Sequence, residues 1–189
     1  MGRDVGCSVG HSSVVCLDRS ILRGLYAVTP DAADVADTPQ LLARVADALR
    51  GGCRLVQYRN KSADAALRRQ QATELQRLCH AAGARLLIND HLDLALDIGA
   101  DGVHLGGEDG DLPAARAALG PGRMLGVSCY NRLEAADAAV AAGADYIAFG
   151  AIYASSVKPQ AVAASLDLLC AARRRFPDLP IAAIGGITR

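Results

Sequence analysis

Lysine is nearly missing from this chain: of 20 basic residues, only Lys61 and Lys158 are not arginine. Net charge is missing too, at a formal value of zero. That removes the electrostatic footprint expected of a partner for nucleic acid or for an acidic membrane surface. No apolar run approaches the ~18 to 20 residues that would span a bilayer. The six cysteines are scattered without a C-x-x-C pair, which argues against a zinc or disulfide framework and for buried thiols of a cytosolic protein. The four histidines are too dispersed to make a metal cluster. No Ser/His or Cys/His arrangement presents itself as an activated nucleophile. The stretch Met1 to Gly24 lacks the apolar segment of a signal peptide and mixes in Arg3, Asp4, Asp18 and Arg19. Residues 1–23 are therefore expected to be a disordered or mis-started leader, followed by a single domain over 24–189.

What the chain does contain is one unit, repeated. Gly52-Cys53-Arg54-Leu55-Val56 recurs as Gly83-Ala84-Arg85-Leu86-Leu87, as Gly99-Ala100-Asp101-Gly102-Val103 and as Gly143-Ala144-Asp145-Tyr146-Ile147. Each copy follows an Ala- and Leu-rich helical stretch, places a glycine where a left-handed helix terminus needs one, and opens a short apolar run. Apolar runs alternating with helices predict a parallel sheet covered by helices. The predicted strands are Leu25–Thr29, Arg54–Tyr58, Arg85–Asn89, Gly102–Leu105, Met124–Ser128, Asp145–Phe149 and Ile181–Ile184. The predicted helices are Pro39–Leu49, Ala63–Ala82, His91–Leu96, Leu112–Leu119, Leu133–Ala141 and Ala161–Arg175. Seven strands exceed the usual doubly wound sheet, and no G-x-G-x-x-G turn follows the first strand. The pattern thus predicts an α/β protein of the (β/α)8 TIM-barrel class. Such a barrel rarely falls below ~200 residues, so the expectation is a barrel truncated after strand 7.

In this architecture the active site lies at the C-terminal ends of the strands, and polar residues gather there. Strand two runs into Gln57-Tyr58-Arg59-Asn60-Lys61. Residues two apart on an extended segment share a face, so Gln57, Arg59 and Lys61 can point into one opening, where two cations and an amide suit a phosphate and a polar ring. The alternative is that Arg59 and Lys61 merely pair with nearby acids. Asp90 and Asp109 follow neighbouring strands, and two carboxylates there suggest a Mg²⁺ site beside phosphate. Asp90 could instead cap the next helix, and Glu108 competes with Asp109. Gly185-Gly186 offers backbone to an anion, while Ser155 and Ser156 stand close to Lys158. His104 falls in a strand interior and reads as a packed barrel residue, and His91 as part of a helix's first turn.

Taken in order, Leu25–Thr29, Gln57–Lys61, Ile88–Asp90, Ala100–Gly106, Gly107–Asp109, Gly126–Ser128, Ala144–Gly150 and Ala183–Ile187 resemble the thiamine phosphate synthase family. The resemblance implies a transferase of thiamine biosynthesis. It would join 4-amino-5-hydroxymethyl-2-methylpyrimidine diphosphate to a thiazole phosphate and release pyrophosphate. By position, Gln57, Tyr58, Arg59, Asn60, Lys61, Asn89, Ser128 and Lys158 would bind the pyrimidine diphosphate, and Lys61, Lys158, Arg59 and Ser128 would carry catalysis. Asp90 and Asp109 would hold Mg²⁺; Ser155, Ser156, Val157, Gly185 and Gly186 would meet the thiazole phosphate. Val157 stands where the family usually has a threonine, which predicts a weakened thiazole-phosphate contact. The implied partners are small phosphorylated molecules in the cytoplasm, with neither nucleic acid nor membrane, and a homo-oligomer is left open. Two rival readings are a thiazole tautomerase-like paralogue, which would need no Mg²⁺ pair, and a non-catalytic barrel that binds a phosphorylated ligand.

Overall fold

The computed structural model of the protein describes residues 19–107, 110–153 and 162–187. Its seven strands are β1 (Tyr26–Val28), β2 (Leu55–Tyr58), β3 (Arg85–Asn89), β4 (Gly102–Gly106), β5 (Met124–Ser128), β6 (Tyr146–Phe149) and β7 (Ile181–Ala183). They alternate with α1 (Thr38–Arg50), α2 (Ala65–Ala81), α3 (Leu92–Asp97), α4 (Leu112–Leu119), α5 (Leu133–Ala141) and α6 (Leu166–Arg175). All neighbours pair in parallel in the order β1-β2-β3-β4-β5-β6-β7. This is the nearly closed α/β barrel that the repeating pattern predicts. Among the described residues β1 and β7 are each paired on one side only, and a groove of about 1140 Å³ runs between them, from Ser20 at the floor to Gly185 and Gly186 at the mouth.

The repeated signature works as its residue types suggest. Gly52, Gly83, Gly99 and Gly143 all take positive φ, between 67° and 92°, which reverses the chain out of a helix at a position where a Cβ is strained. Where the third residue is aspartate, the carboxylate does a second job. Asp101 accepts the backbone N–H of Leu86 at 2.9 Å and pairs with Arg85 and His80. Asp145 accepts that of Leu125 at 2.8 Å and pairs with Arg116. Both sit at the N-terminal rim of the barrel, the face associated with stability rather than catalysis.

Side chains on β2 show how the layers divide. Leu55 and Gln57 face the lumen; Val56 and Tyr58 face the helices, and all four are buried. The lumen floor is a small apolar plug of Leu55, Leu87, Met124 and Tyr146, with Ile21 and Leu22 from a 3-10 turn at Arg19–Leu22 packed beneath it. That turn lies within the stretch read from sequence as a leader. The larger core lies between strands and helices. Cys53, Cys79 and Cys129 belong to it as unpaired thiols, and burial pushes Cys79 and Cys129 up to about 12.

Three helices start later than predicted, α2 by two residues, α3 by one and α6 by five, and the last departure has a clear cause. The pattern places the beginning of α6 at Ala161, whereas the helix begins at Leu166. The reason is local: the Ser165 hydroxyl accepts the Leu168 N–H and Asp167 occupies the first turn, so capping rather than periodicity fixes the start.

Candidate active site

The C-terminal ends of β2, β3, β4 and β5 form one mouth. At β2, the strand end is tied to β1 by Thr29, whose hydroxyl donates to the Arg59 carbonyl at 3.0 Å and accepts the Arg59 N–H at 2.9 Å. The Arg59 guanidinium then lies at the rim, 3.4 Å from Asp31. Asp31 also accepts the backbone N–H of Lys61 at 2.8 Å, and the Lys61 side chain is exposed. An acid does lie beside both cations, yet it holds Lys61 through its backbone and leaves the ammonium uncommitted to it. Gln57 is buried below them on the same face and donates from Nε2 to the Tyr26 hydroxyl oxygen at 2.5 Å.

Tyr58 and Asn60 alternate to the other face. Their side chains are 1% and 5% exposed and are engaged between β2 and α2. Tyr58 donates to Gln71 at 2.7 Å. Asn60 donates to the Ala32 carbonyl and to Gln71, and its Oδ1 accepts from the Ser62 N–H, the Ser62 hydroxyl and the Ala63 N–H. The structure therefore does not bring these two side chains to the mouth, and Asn60 instead shapes the loop that carries Lys61.

At β3, Asn89 is half-buried on the lumen face and pairs in register with His104. Asp90 follows with φ of 60°, a left-handed conformation that few non-glycine residues adopt outside functional or tightly held turns. Its N–H is tied to the His104 carbonyl at 3.0 Å and the residue is exposed. It does not cap α3, whose N-cap is His91. An exposed carboxylate beside an amide gives hard oxygen donors of the kind Mg²⁺ prefers. Gly107 leaves β4 by donating to the Ser128 carbonyl at 2.8 Å. Glu108, Asp109, Ser155, Ser156, Val157 and Lys158 lie outside the described residues. Across the mouth, Gly185 and Gly186 take φ of 98° and 61°, and a Cβ on Gly185 would come within 2.5 Å of the Ala151 Cβ.

The feature that residue spacing did not reveal lies just beneath. Tyr26, Tyr146 and His104 link Gln57 to Ser128 across the lumen. The two tyrosine hydroxyls are 2.7 Å apart, Tyr146 reaches His104 Nδ1 at 2.7 Å, and His104 Nε2 reaches Ser128 Oγ at 2.8 Å. Burial pushes both phenols above their ordinary value and lowers His104 to about 4. His104 is indeed a packed barrel residue, but it is also the direct neighbour of a residue in the predicted site. The available signal was a single polar residue at an inward position of β1, β2, β4, β5 and β6: Tyr26, Gln57, His104, Ser128 and Tyr146.

A profile of the thiamine monophosphate synthase family matches residues 25–189. The chain belongs to that family. Thiamine monophosphate synthase family membership makes it an enzyme, a transferase of thiamine biosynthesis that forms thiamine phosphate. It is 58% identical over 167 residues to the thiamine-phosphate synthase of Aromatoleum aromaticum, covering 88% of this chain and 78% of that one. It is 54% identical over 166 residues to that of Chromobacterium violaceum, with the same coverage. Among solved structures, a thiamine phosphate pyrophosphorylase from Pyrococcus furiosus superposes with a TM-score of 0.74 at 31% identity, over 90% of this chain and 78% of that one. A 2-keto-3-deoxy-6-phosphogluconate aldolase from Zymomonas mobilis, at 19% identity and TM-score 0.59 over 89% of this chain and 75% of its own, shares the fold alone. Among the described residues no helix is long and apolar enough to cross a membrane.

Proposed function

We propose that the thiamine phosphate is made from 4-amino-5-hydroxymethyl-2-methylpyrimidine diphosphate and a thiazole phosphate in the cytoplasm. The carrying observation is that Gln57, Asn89 and Ser128 converge on the lumen face of one barrel mouth while Arg59 and Lys61 stand on its rim. Amides and a hydroxyl suit the polar ring, and cations suit the diphosphate.

In this reading the bond between the pyrimidine methylene and the diphosphate oxygen breaks first, and its electron pair leaves with pyrophosphate. The electron-rich aminopyrimidine stabilises the methylene cation, and the thiazole nitrogen lone pair then closes the new C–N bond. The protein supplies no nucleophile. Its work is to neutralise charge gathering on the leaving oxygen, with Lys61, Arg59 and Lys158 as cations and Ser128 as a hydroxyl donor. Holding the two halves in line supplies the rest of the acceleration. Asp90, with Asp109, would hold Mg²⁺, which when bound supplies further positive charge against the diphosphate. Ser155, Ser156 and the Gly185-Gly186 turn would hold the thiazole phosphate, with Val157 leaving one contact unmade. A homo-oligomer is compatible with this chemistry and is not required by it.

The test is thiamine phosphate formation from the two phosphorylated halves, with Mg²⁺ and with EDTA. The expected result is product that needs Mg²⁺ and falls sharply in Asp90→Asn. Product that is indifferent to EDTA would remove the metal from the reading, and no product from the wild-type chain would overturn it in favour of the tautomerase-like or ligand-binding alternatives.

A further inference from the structure

The buried chain Gln57–Tyr26–Tyr146–His104–Ser128 has a direction. Each phenol has one proton to give, and a neutral imidazole has one. Gln57 donates its amide hydrogen to the Tyr26 oxygen. With Gln57 donating to it, the Tyr26 hydroxyl finds its acceptor in the Tyr146 oxygen; the two contacts themselves admit either donor, and the order that uses every proton sends the Tyr146 proton to His104 Nδ1. In this order the ring carries its own proton on Nε2 and gives it to Ser128 Oγ. A protonated Nε2 offers the serine no acceptor, so the Ser128 hydrogen is turned away from the chain. The four links thus determine at one end what the residue at the other end can do.

The site is built for this. Gly126 lies in register between His104 on β4 and Tyr146 on β6. A Cβ there would come within 2.0 Å of the Tyr146 ring. Its absence lets the imidazole and phenol rings stack at 5.6 Å with an interplanar angle of 28°. Among the described residues no buried side-chain polar atom lacks a partner, so the chain is satisfied throughout, the condition under which a buried polar network specifies one arrangement.

We propose that Tyr26, Tyr146 and His104 are positioning residues that hold Ser128 as an obligate hydrogen-bond donor toward the leaving diphosphate. The inference rests on the proposed function for the identity of the acceptor. A donor held in one orientation acts more strongly on the charge that develops as the C–O bond breaks than on the intact substrate, so its loss lowers kcat more than it raises KM. Tyr146→Phe keeps the ring and removes the relay.

Two measurements decide it. In the synthase assay, Tyr146→Phe is expected to lower kcat by roughly 10- to 100-fold, the usual range for a group that orients a working one, with the KM for the pyrimidine diphosphate nearly unchanged. In a Ser128→Ala background the same change is expected to cost nothing more, because its effect passes through Ser128. An unchanged kcat, or an equal loss in both backgrounds, overturns the proposal. Independently of activity, ¹⁵N NMR of the wild-type imidazole is expected to show His104 protonated at Nε2 and bare at Nδ1. The opposite tautomer overturns the proposal even if every variant misfolds. A wild-type chain that makes no thiamine phosphate would sink the functional reading, while the tautomer would still decide the direction of the chain.

Discussion

Two single residues carry more of the site than their side chains suggest, and one of them has none. Gly126 is required because β4 and β6 meet across β5, and the space its missing Cβ leaves is filled by the Tyr146 ring. Gly126→Ala forces a fully buried ring off its place, and overpacking of this kind costs about 1–3 kcal/mol. A urea titration is expected to show a lower midpoint at unchanged slope, with activity falling alongside; an unaltered midpoint would mean that β5 shifts freely. Asn60 acts through five hydrogen bonds that fold the loop between β2 and α2. Asn60→Ala leaves buried groups of Gln71, Ala32 and Ala63 without that partner, a loss of roughly 1–3 kcal/mol. Since Lys61 rides on this loop, the variant is expected to raise the KM for the pyrimidine diphosphate. A KM equal to wild type would show that Asp31, which also holds the Lys61 backbone, is enough on its own.

At the scale of elements, helix ends are decided by caps. Asp64, Asp111 and Ser165 each accept a backbone N–H three residues on, at 2.8, 3.0 and 3.1 Å. Ser165→Ala is expected to destabilise the protein by about 1 kcal/mol, read as a lowered thermal midpoint, and Ser165→Asp to restore it. A midpoint indifferent to both would mean that packing alone holds α6. The same element shows what sequence conveys and what it conceals. Strands β3 and β5 and helices α4 and α5 have the predicted bounds because each is a run of residues whose neighbours in sequence determine it. The start of α6 departs by five residues because one hydroxyl outweighs an Ala-rich continuation. At the site, Gln57, Asn89, Ser128 and Asp90 were legible from their places at strand ends. The polar chain beneath them was not, because Tyr26 and Tyr146 stand 120 residues apart and meet only when the sheet curls. Asn60 misled for the opposite reason: strand alternation turns it outward, although it sits inside a cation-rich motif.

On the scale of the whole molecule, the lumen polar chain also ties stability to pH. His104 is buried among Tyr26, Tyr146 and Ser128. Burial lowers its pKa to about 4 from an ordinary 6.5. The unfolded chain therefore takes up a proton that the folded barrel refuses until the pH is lower still. The stabilisation linked to the neutral ring is complete above about pH 6.5, declines as the pH falls below it, and is gone once the pH has passed through about 4. At about 1.4 kcal/mol per unit, the whole window amounts to something on the order of 3 kcal/mol. That is a substantial part of the stability of a small domain. Urea midpoints measured between pH 7 and pH 4.5 are expected to fall steadily for the wild-type chain. His104→Gln, which keeps an amide in the chain and cannot titrate, should start lower at pH 7 and fall much less. Parallel slopes in the two proteins would place the acid sensitivity outside the lumen.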